Sequence, residues 1–360
     1  MTQFAVVGTP GDRRPALFAT ACRSAGLPEP RLLAWTDVLR GAEVVLAQDE
    51  LLRIDSPGED AEADALLRGP GSPARVGGGA RWHRTFTAAL HRVSAAASAS
   101  GARLFGDVEE IAVMFDKRLA HARLGAAGVP VPFALPEVDG YASLRARMDE
   151  TGERRVFVKP AHGSSASGVV ALQTAPGRIK AVTSAAMTDG QLVNSLRVRT
   201  YTTEGEVAAL VDALAPDGLH VERWLPKASL GGRAFDVRVV VVGGEATHAV
   251  VRTSRHPMTN LHLGGARGDL TTVRKALGDD GWHRALDVCA RAAACFPGSL
   301  MVGVDLLIGH GMTRMAVAEV NAFGDLLPGL TGFPGGPAEG LDTYAAQIRA
   351  VLREARACTT

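Results

Sequence analysis

Residues 302–325, VGVDLLIGHGMTRMAVAEVNAFGD, constrain the fold of this chain more than any other stretch. Two apolar runs on either side of a Gly-His-Gly turn predict a β-hairpin. Strand side chains repeat every second residue, so Glu319 and Asn321 share a face, and antiparallel pairing can bring Asp305 close to Glu319. Two crowded carboxylates are costly to bury without a counter-charge, which a hard cation such as Mg²⁺ would supply. Solvated charges at a sheet edge are the alternative.

Composition narrows the class of protein. The 360 residues, 46% hydrophobic and 21% charged, fit a soluble globular protein with two or three subdomains. Lys and Arg (39) nearly balance Asp and Glu (38), which argues against a bulk nucleic-acid binder. The four cysteines lack C-x-x-C spacing, which indicates free thiols in a reducing compartment and no zinc site. The N-terminus lacks the basic region of a secretory signal, and no apolar run has the length of a membrane span. We therefore expect a cytoplasmic protein with no membrane or nucleic-acid partner.

The first hundred residues predict an open α/β domain. A short apolar strand at residues 4–7 precedes a helical pattern from about residue 15 to residue 24. The further predicted elements are strands at residues 44–47 and 51–54, a Gly- and Pro-rich loop at 69–79 and an Ala-rich helix at 85–98. These residues indicate no particular chemistry, so a share in a substrate cleft and a purely structural role both stay open.

Two lysines stand near signals for phosphate binding. Residues 111–127 predict one helix that carries Lys117 in its first half, where a lysine is usually solvated. Lys159 ends a predicted strand, and the small-residue loop 163–168 (GSSASG) follows it before another strand begins. The backbone N–H groups of such a loop can approach an anion closely, and the lysine adds a point charge. The segment is not a P-loop, because it lacks Gly-Lys-Ser/Thr and no helix follows.

A hinge and an arginine-rich stretch complete the pattern. The backbone of residues 222–225 could offer N–H and C=O groups to an adenine edge, and Trp224 could pack nearby, although core packing is the commoner use. Arg252 and Arg255 end a later predicted strand, and guanidinium forks suit a carboxylate or an acyl phosphate. Taken singly, Arg255 is more often a surface charge and Asn260 a hydrogen-bonding loop residue.

Seven segments in order resemble the ATP-grasp superfamily, and specifically its RimK-like amino-acid ligases. The resemblance covers roughly residues 105–330. Each motif is weak, but their joint order is a strong signal. The segments are DKRLAHARLGAAGVPVP at 116–132, FVKPAHGSSASGVVAL at 157–172, VERWLPKA at 221–228, FDVRVVVVGG at 235–244, TNLHLGG at 259–265, VGVDLL at 302–307 and AEVNAFGD at 318–325.

The resemblance implies a fold class of α/β (α+β) type: an ATP-grasp fold preceded by an open α/β domain. The expected division is residues 1–105 for the N-terminal domain, 106–215 for the subdomain with the phosphate loop and 216–360 for the subdomain with the metal site. The implied ligands are ATP and one or two Mg²⁺ ions, with Mn²⁺ as an alternative metal.

The resemblance also assigns roles to individual residues. The implied ATP-binding residues are Lys117, Lys159, Gly163, Ser164, Ser165, Ser167, Gly168, Glu222, Arg223, Trp224, Leu225 and Lys227. The implied metal ligands are Asp305, Glu319 and Asn321, and the residues expected at the reacting centre are Arg238, Arg252 and Asn260. This chain departs from the family at Ala-Phe-Gly-Asp after Asn321, where RimK-like ligases tend to have Ala-Ser-Pro-Gly. It also carries a polar segment at residues 194–203.

The activity implied is the ATP-dependent joining of a carboxylate to an amine through an acyl phosphate, with ADP and phosphate released. The substrates would be a small-molecule or peptide carboxylate and an amine, and a homodimer is left open. Phosphoryl transfer to another acceptor on the same fold and a non-catalytic nucleotide-binding role are the alternatives. Retention of both lysines and all three candidate metal ligands argues against the last.

Overall fold

The computed structural model describes residues 2–58, 60–72, 74–163, 166–188, 190–323 and 328–357. Three sheets organise these residues, with four, five and six strands. Cys22, Cys289 and Cys295 are free thiols, as expected. None of the helices in the described ranges is both long and apolar enough to cross a bilayer.

The N-terminal sheet is parallel, with strand order β2-β1-β3-β4. Its elements are β1 (Phe4–Gly8), α1 (Arg13–Ser24), β2 (Arg31–Ala34), α2 (Trp35–Leu39), β3 (Leu51–Ile54), α3 (Ala61–Arg68), α4 (Gly79–Ser100) and β4 (Arg103–Leu104). The central strand β1 is wholly buried because helices cover both faces. Phe4 packs with Phe18 of α1, whereas Ala5 lies in the same cluster as Phe86 of α4.

The strand predicted at residues 44–47 is wrong, because those residues adopt no regular secondary structure. Side chains take the backbone groups that a strand ladder would use. The N–H of Ala47 donates to the Glu50 carboxylate, and Arg31 donates to the carbonyl of Val45. Arg31 also pairs with Glu50 at 2.6 Å, which ties β2 to this turn. The edge strand β2 itself is short and half exposed, which explains why the sequence pattern did not reveal it.

The second sheet is antiparallel, with strand order β8-β7-β6-β5-β9. The elements of this part are α5 (Val108–Met114), α6 (Lys117–Ala126), α7 (Tyr141–Thr151), β5 (Arg155–Pro160), β6 (Val170–Ala175), β7 (Arg178–Thr188), β8 (Gln191–Tyr201), α8 (Glu204–Leu214) and β9 (Leu219–Arg223). Helices α7 and α8 cover one face, where Leu144, Met148, Val207 and Leu210 join the buried strand residues. The polar segment at 194–203 belongs largely to the edge strand β8.

The single helix predicted over residues 111–127 is wrong, because the chain breaks it into α5 and α6. Asp116 is the N-cap of α6, and its buried carboxylate accepts the backbone N–H of Arg118 at 2.9 Å. Aspartate is also a preferred N-cap residue, and here Asp116 caps a second helix instead of continuing the first. The break makes Lys117 the first residue of α6 instead of a mid-helix surface residue.

The third sheet has the order β13-β12-β11-β14-β15, with β10 added beside β11. Its elements are β10 (Ser229–Leu230), β11 (Arg233–Val242), β12 (Glu245–Ser254), β13 (Ala266–Gly268), α9 (Leu270–Ala294), β14 (Met301–Ile308), β15 (Met315–Asn321) and α10 (Thr343–Ala357). The predicted hairpin is confirmed as β14 and β15, with Asp305 directly opposite Glu319. Helix α9 packs on the sheet through Trp282 and Ala285, and α10 returns to α1, where Tyr344 meets Phe18.

The Gly- and Pro-rich loop of the N-terminal part reaches the second sheet. Residues 74–76 lie along β8 and form an isolated antiparallel bridge to Val193. The Asp217 carboxylate accepts the backbone N–H groups of Gly78 at 2.6 Å and Ala80 at 3.1 Å, at the start of α4. An acidic side chain at a helix N-terminus is favourable, so this contact ties the N-terminal part to the second sheet.

We predict that Asp116→Ala lowers the free energy of unfolding by about 1–2 kcal/mol, because it removes a buried helix cap. Urea denaturation of the full chain measures the loss. Asp149→Ala is the matched control, since Asp149 is exposed and its nearest cation, Arg154, lies 3.8 Å away. The control should change stability by less than about 0.5 kcal/mol. Equal losses in the two variants would contradict the role of Asp116 as the cap.

Candidate active site

Lys117 joins three separate parts of the chain. Its Nζ lies 3.0 Å from Oε1 of Glu319 on β15 and donates a hydrogen bond to the carbonyl of Gly163, at the start of the small-residue loop. The lysine side chain is 10% exposed and the glutamate side chain 29%. The predicted phosphate loop, one predicted lysine and one predicted metal ligand therefore meet at a single point.

Lys159 lies in a second buried ion pair. Its Nζ is 2.6 Å from Oε1 of Glu222 on β9, and Nε2 of His220 lies 3.2 Å from the other carboxylate oxygen. Burial works to raise the pKa of Glu222, but Lys159 and His220 outweigh it and hold this pKa at about 2. Glu222 is therefore ionised at neutral pH, and its carboxylate is the counter-charge of the Lys159 ammonium group.

The predicted adenine hinge is the end of β9 and the residues after it. The N–H of Arg223 donates to the carbonyl of Phe133, and the Arg223 guanidinium turns outward to Glu153 while lying over the Phe133 ring. The Trp224 ring packs 5.2 Å from the Phe157 ring, and Leu225 is half-buried. The side chains of the hinge thus point in different directions, with only Trp224 joining the apolar face of the second sheet.

That apolar face is shared with the loop between β12 and β13. Met258 and Leu263 of the loop are buried against Phe157 and Val169 of the second sheet. The second sheet and the loop that follows β12 are therefore in contact through an apolar patch.

A row of buried charges crosses the third sheet. Lys227 Nζ donates to Asp236 at 2.9 Å, Arg252 Nε donates to Asp236 at 2.8 Å, and Arg252 Nη2 lies 3.1 Å from Asp305. Arg238 donates to Asp305 through both Nε and Nη2. The register explains the row, because Asp236 is opposite Arg252 and Arg238 is opposite Asp305 on neighbouring strands.

The row keeps its carboxylates ionised. Burial works to raise the pKa values of Asp236 and Asp305, but the neighbouring Lys227, Arg238 and Arg252 hold both pKa values below the ordinary range. Burial likewise works to lower the pKa of Arg252, and the two aspartates more than reverse it. Removing one member would leave an opposite charge buried without its partner, which is more costly than the intact row.

Asn260, predicted at the reacting centre, follows Thr259 in the loop after β12. Its carbonyl accepts the N–H of Leu263 at 3.1 Å and closes a short turn. The Thr259 hydroxyl contacts Lys227 Nζ at 2.7 Å and also donates to Asp236. The loop is thereby anchored to one end of the charge row.

The three predicted metal ligands lie on two paired strands. Asp305 on β14 faces Glu319 on β15, and Asn321 Nδ2 lies 3.5 Å from the carbonyl of Gly303. Each carboxylate is paired with protein cations, Asp305 with arginines and Glu319 with Lys117. Within the described ranges, no three His, Cys, Asp or Glu residues form a metal-binding group, so the candidate set is two carboxylates and one amide. Oxygen donors of this type fit Mg²⁺.

The C-terminal end of the small-residue loop, at Gly168, is tightly packed against neighbouring side chains. Gly163, Ser167 and Gly168 lie in the turn between β5 and β6, whereas Ser164 and Ser165 lie outside the described residues. Gly168 has φ +69°, and a Cβ there would meet Val76 at 2.6 Å, Pro160 at 2.9 Å and Leu214 at 3.0 Å.

Sequence reasoning missed three residues of this site: Thr259, Asp236 and His220. Asp236 carried a usable signal, because it shares a strand face with Arg238 two residues later. Thr259 belongs to the TNLHLGG segment, but no spacing rule pairs its hydroxyl with Lys227. His220 also gave no signal, since its contact depends on how β9 pairs with β5.

Comparison with solved structures identifies the fold. The D-cycloserine synthetase DcsG superposes with a TM-score of 0.59 at 19% identity, over 98% of this chain and 99% of that one. The ATP-grasp ligase PsnB, solved with a variant of its minimal precursor, Mg and ADP, gives 0.54 at 18% identity over 99% of both chains. N5-carboxyaminoimidazole synthase from Aspergillus clavatus gives 0.53 at 13% identity, over 98% of this chain and 77% of that one.

The protein therefore has the ATP-grasp fold, and the predicted fold class is confirmed. No protein-family model matches the sequence, and no curated protein matches it. At these identities the likeness establishes the fold alone.

We predict that Gly168→Ala destabilises the protein by about 1–3 kcal/mol and weakens nucleotide binding, because the new Cβ would overpack the end of the loop. The control is Gly177→Ala in the turn between β6 and β7, where φ is also positive at +63° but nothing lies within 4 Å. Thermal unfolding with and without nucleotide measures both effects. Equal effects of the two substitutions would assign the loss to backbone conformation and not to crowding.

We predict that Lys159→Met and Glu222→Gln each destabilise the protein by about 3–5 kcal/mol, since each leaves an unpaired buried charge. The double variant should lose less than the sum, by about 0.5–3 kcal/mol. Urea denaturation at pH 7 completes the cycle, and the exposed pair Arg147–Glu150 is the control, with no measurable coupling expected. Because the pKa of Glu222 falls from 4.5 to about 2 on folding, its contribution is full above pH 4.5 and is lost as the pH drops toward 2. Additive losses would contradict a direct interaction between the two side chains.

Proposed function

We propose that the protein is an ATP-dependent, RimK-like carboxylate–amine ligase that forms an acyl phosphate and then an amide. The observation that carries the proposal is the position of Lys117, which contacts both the start of the small-residue loop and Glu319 on the predicted metal strand. A phosphoryl group held at this point would lie between the loop and the metal ligands.

The two lysines would neutralise the ATP phosphates. Phosphoryl transfer needs positioning and electrostatic stabilisation more than a covalent enzyme group. Lys117 and Lys159 each form an ion pair with a glutamate, so both ammonium groups are held at defined positions. Trp224 and the apolar patch beside it would receive the adenine.

Asp305, Glu319 and Asn321 would hold Mg²⁺, or Mn²⁺ in its place. The fit rests on the oxygen donor set and on the direct pairing of Asp305 with Glu319. When bound, the metal would supply positive charge to the phosphate oxygens.

The arginines of the charge row would orient the substrate carboxylate. A guanidinium fork provides both charge and direction for a planar anion. Arg252 already spans Asp236 and Asp305, and Arg238 lies on the same Asp305 carboxylate, so the row fixes both guanidinium groups. Asn260, in the loop anchored on Lys227, would lie at the same centre.

The small-residue loop would close over the phosphates and exclude water, which would otherwise hydrolyse an acyl phosphate.

The substrates that we propose are a small-molecule or peptide carboxylate and an amine. Among the similar structures, DcsG is a D-cycloserine synthetase and PsnB was solved with a precursor peptide, which supports both kinds of substrate. We also propose the division into residues 1–105, 106–215 and 216–360 and a cytoplasmic location.

The test is a screen for ADP formation with ATP, Mg²⁺, candidate carboxylates and amines. We predict that Glu319→Gln lowers amine-dependent ADP release by about two to three orders of magnitude, because transition-state charge loses its stabilisation. Glu245→Gln is the control and should keep the wild-type rate, since Glu245 is the exposed first residue of β12.

Two outcomes would overturn the proposal. If no amine stimulates ADP release and a phosphorylated acceptor accumulates as the product, the reaction is simple phosphoryl transfer. A wild-type rate in Glu319→Gln would remove the predicted metal strand from the reaction.

A further inference from the structure

A buried histidine, His220, contacts the carboxylate of the Lys159–Glu222 ion pair. His220 is opposite Lys159 in the register of β5 and β9. Its Nε2 lies 3.2 Å from Oε2 of Glu222, whereas the lysine Nζ lies 2.6 Å from Oε1. The exposed fractions of the Lys159, Glu222 and His220 side chains are 11%, 2% and 6%. The three groups therefore form one buried unit, and the proposed reaction gives His220 no role.

Among the residues that the structure describes, three titratable groups act on His220. Glu222 and Lys159 face it within the sheet, and His121 faces it from α6 with its ring centroid 4.9 Å away. Burial lowers the pKa of His220, Glu222 opposes that shift, and Lys159 and His121 add to it. At neutral pH the imidazole is then neutral and donates its Nε2–H to Glu222, because an ionised carboxylate can only accept.

Nucleotide binding would change the charge balance of the group formed by Lys159, Glu222 and His220. A phosphate anion competes with Glu222 for the Lys159 ammonium, which is the nearest cation to that carboxylate. Glu222 stays wholly buried, and a buried carboxylate that loses its counter-charge is strongly destabilised. A proton on His220 would restore a cation beside Glu222 without moving the backbone.

We propose that His220 is a positioning residue that holds Glu222 for Lys159 in the free protein and takes up one proton when nucleotide draws Lys159 toward its phosphates. The proposal rests on the proposed nucleotide site. The proton comes from solvent and adds to Nδ1, which converts the neutral imidazole to imidazolium. The Glu222–His220 pair changes from a net charge of −1 to zero, while the Lys159 charge passes to the phosphate.

The direction of the pH dependence follows. With Lys159 drawn away, the pKa of His220 is higher in the bound protein than in the free protein. Between these two pKa values binding consumes a proton, so nucleotide binds more tightly as the pH falls. For one linked proton, Kd falls by up to about tenfold per pH unit.

Isothermal titration calorimetry of the full chain with Mg·ADP tests the proposal. Titrations at pH 7 in PIPES, HEPES and Tris give the observed enthalpy against the ionisation enthalpy of the buffer, and the slope is the number of protons taken up. We expect uptake approaching one proton in the wild type and near zero in His220→Gln, whose amide keeps an N–H donor but does not titrate. His248→Gln is the matched control and should keep the wild-type uptake, since the buried His248 on β12 contacts Thr247 and the carbonyl of Leu341 and not Glu222.

Kd measured from pH 6 to pH 8 is the second readout. It should rise with pH in the wild type and stay flat in His220→Gln, a difference that a purely structural histidine would not produce. Normal binding with no proton uptake in the wild type, or undiminished uptake in His220→Gln, would overturn the proposal and leave the nucleotide site standing. Absence of any binding heat in the wild type would refute the nucleotide site itself, and this inference with it.

Discussion

The structure of the site depends on the charge row Lys227–Asp236–Arg252–Asp305–Arg238 inside the third sheet. Five ionisable side chains, each largely or wholly shielded from water, are stable there because signs alternate and neighbouring strands place opposite charges side by side. A hydrophobic substitute for such a row is often no less stable, so stability alone does not explain its presence. A fixed row of guanidinium and carboxylate groups is what an enzyme needs if it must hold an anion in one direction without reorganising.

The two lysines are also paired with carboxylates. Lys117 forms an ion pair with Glu319 and Lys159 with Glu222, so each ammonium group that would bind a phosphate already has a protein counter-charge. Binding of a polyanion at these lysines would therefore be an exchange of partners, with a net gain smaller than a count of new contacts suggests. The carboxylates that lose their lysines would need a new counter-charge. On β15 the metal would supply it to Glu319, and on β9, where no metal ligands were predicted, His220 is the group in contact with Glu222.

The parts of the fold that sequence predicted depend on local rules. The hairpin with Asp305 opposite Glu319 follows from strand periodicity and a Gly-rich turn, and the structure has that register. Local rules also explain the errors. Asp116 stands within an apolar periodicity that predicts one helix, but aspartate is a preferred N-cap residue and here begins a new helix. Residues 44–47 have strand-like composition, but their backbone groups bond to Arg31 and Glu50.

The contacts that sequence could not predict join residues far apart in the chain. Lys159 and Glu222 are separated by more than sixty residues, and only the pairing of β5 with β9 brings them together. The hinge residues illustrate the consequence. Glu222 lies in a motif that suggests adenine binding, yet strand alternation turns its side chain inward to Lys159 while Arg223 turns outward to Glu153. The Glu222 carboxylate is therefore directed at Lys159 and not at the surface of the hinge, so under the proposed function it would act on the nucleotide phosphates through that lysine.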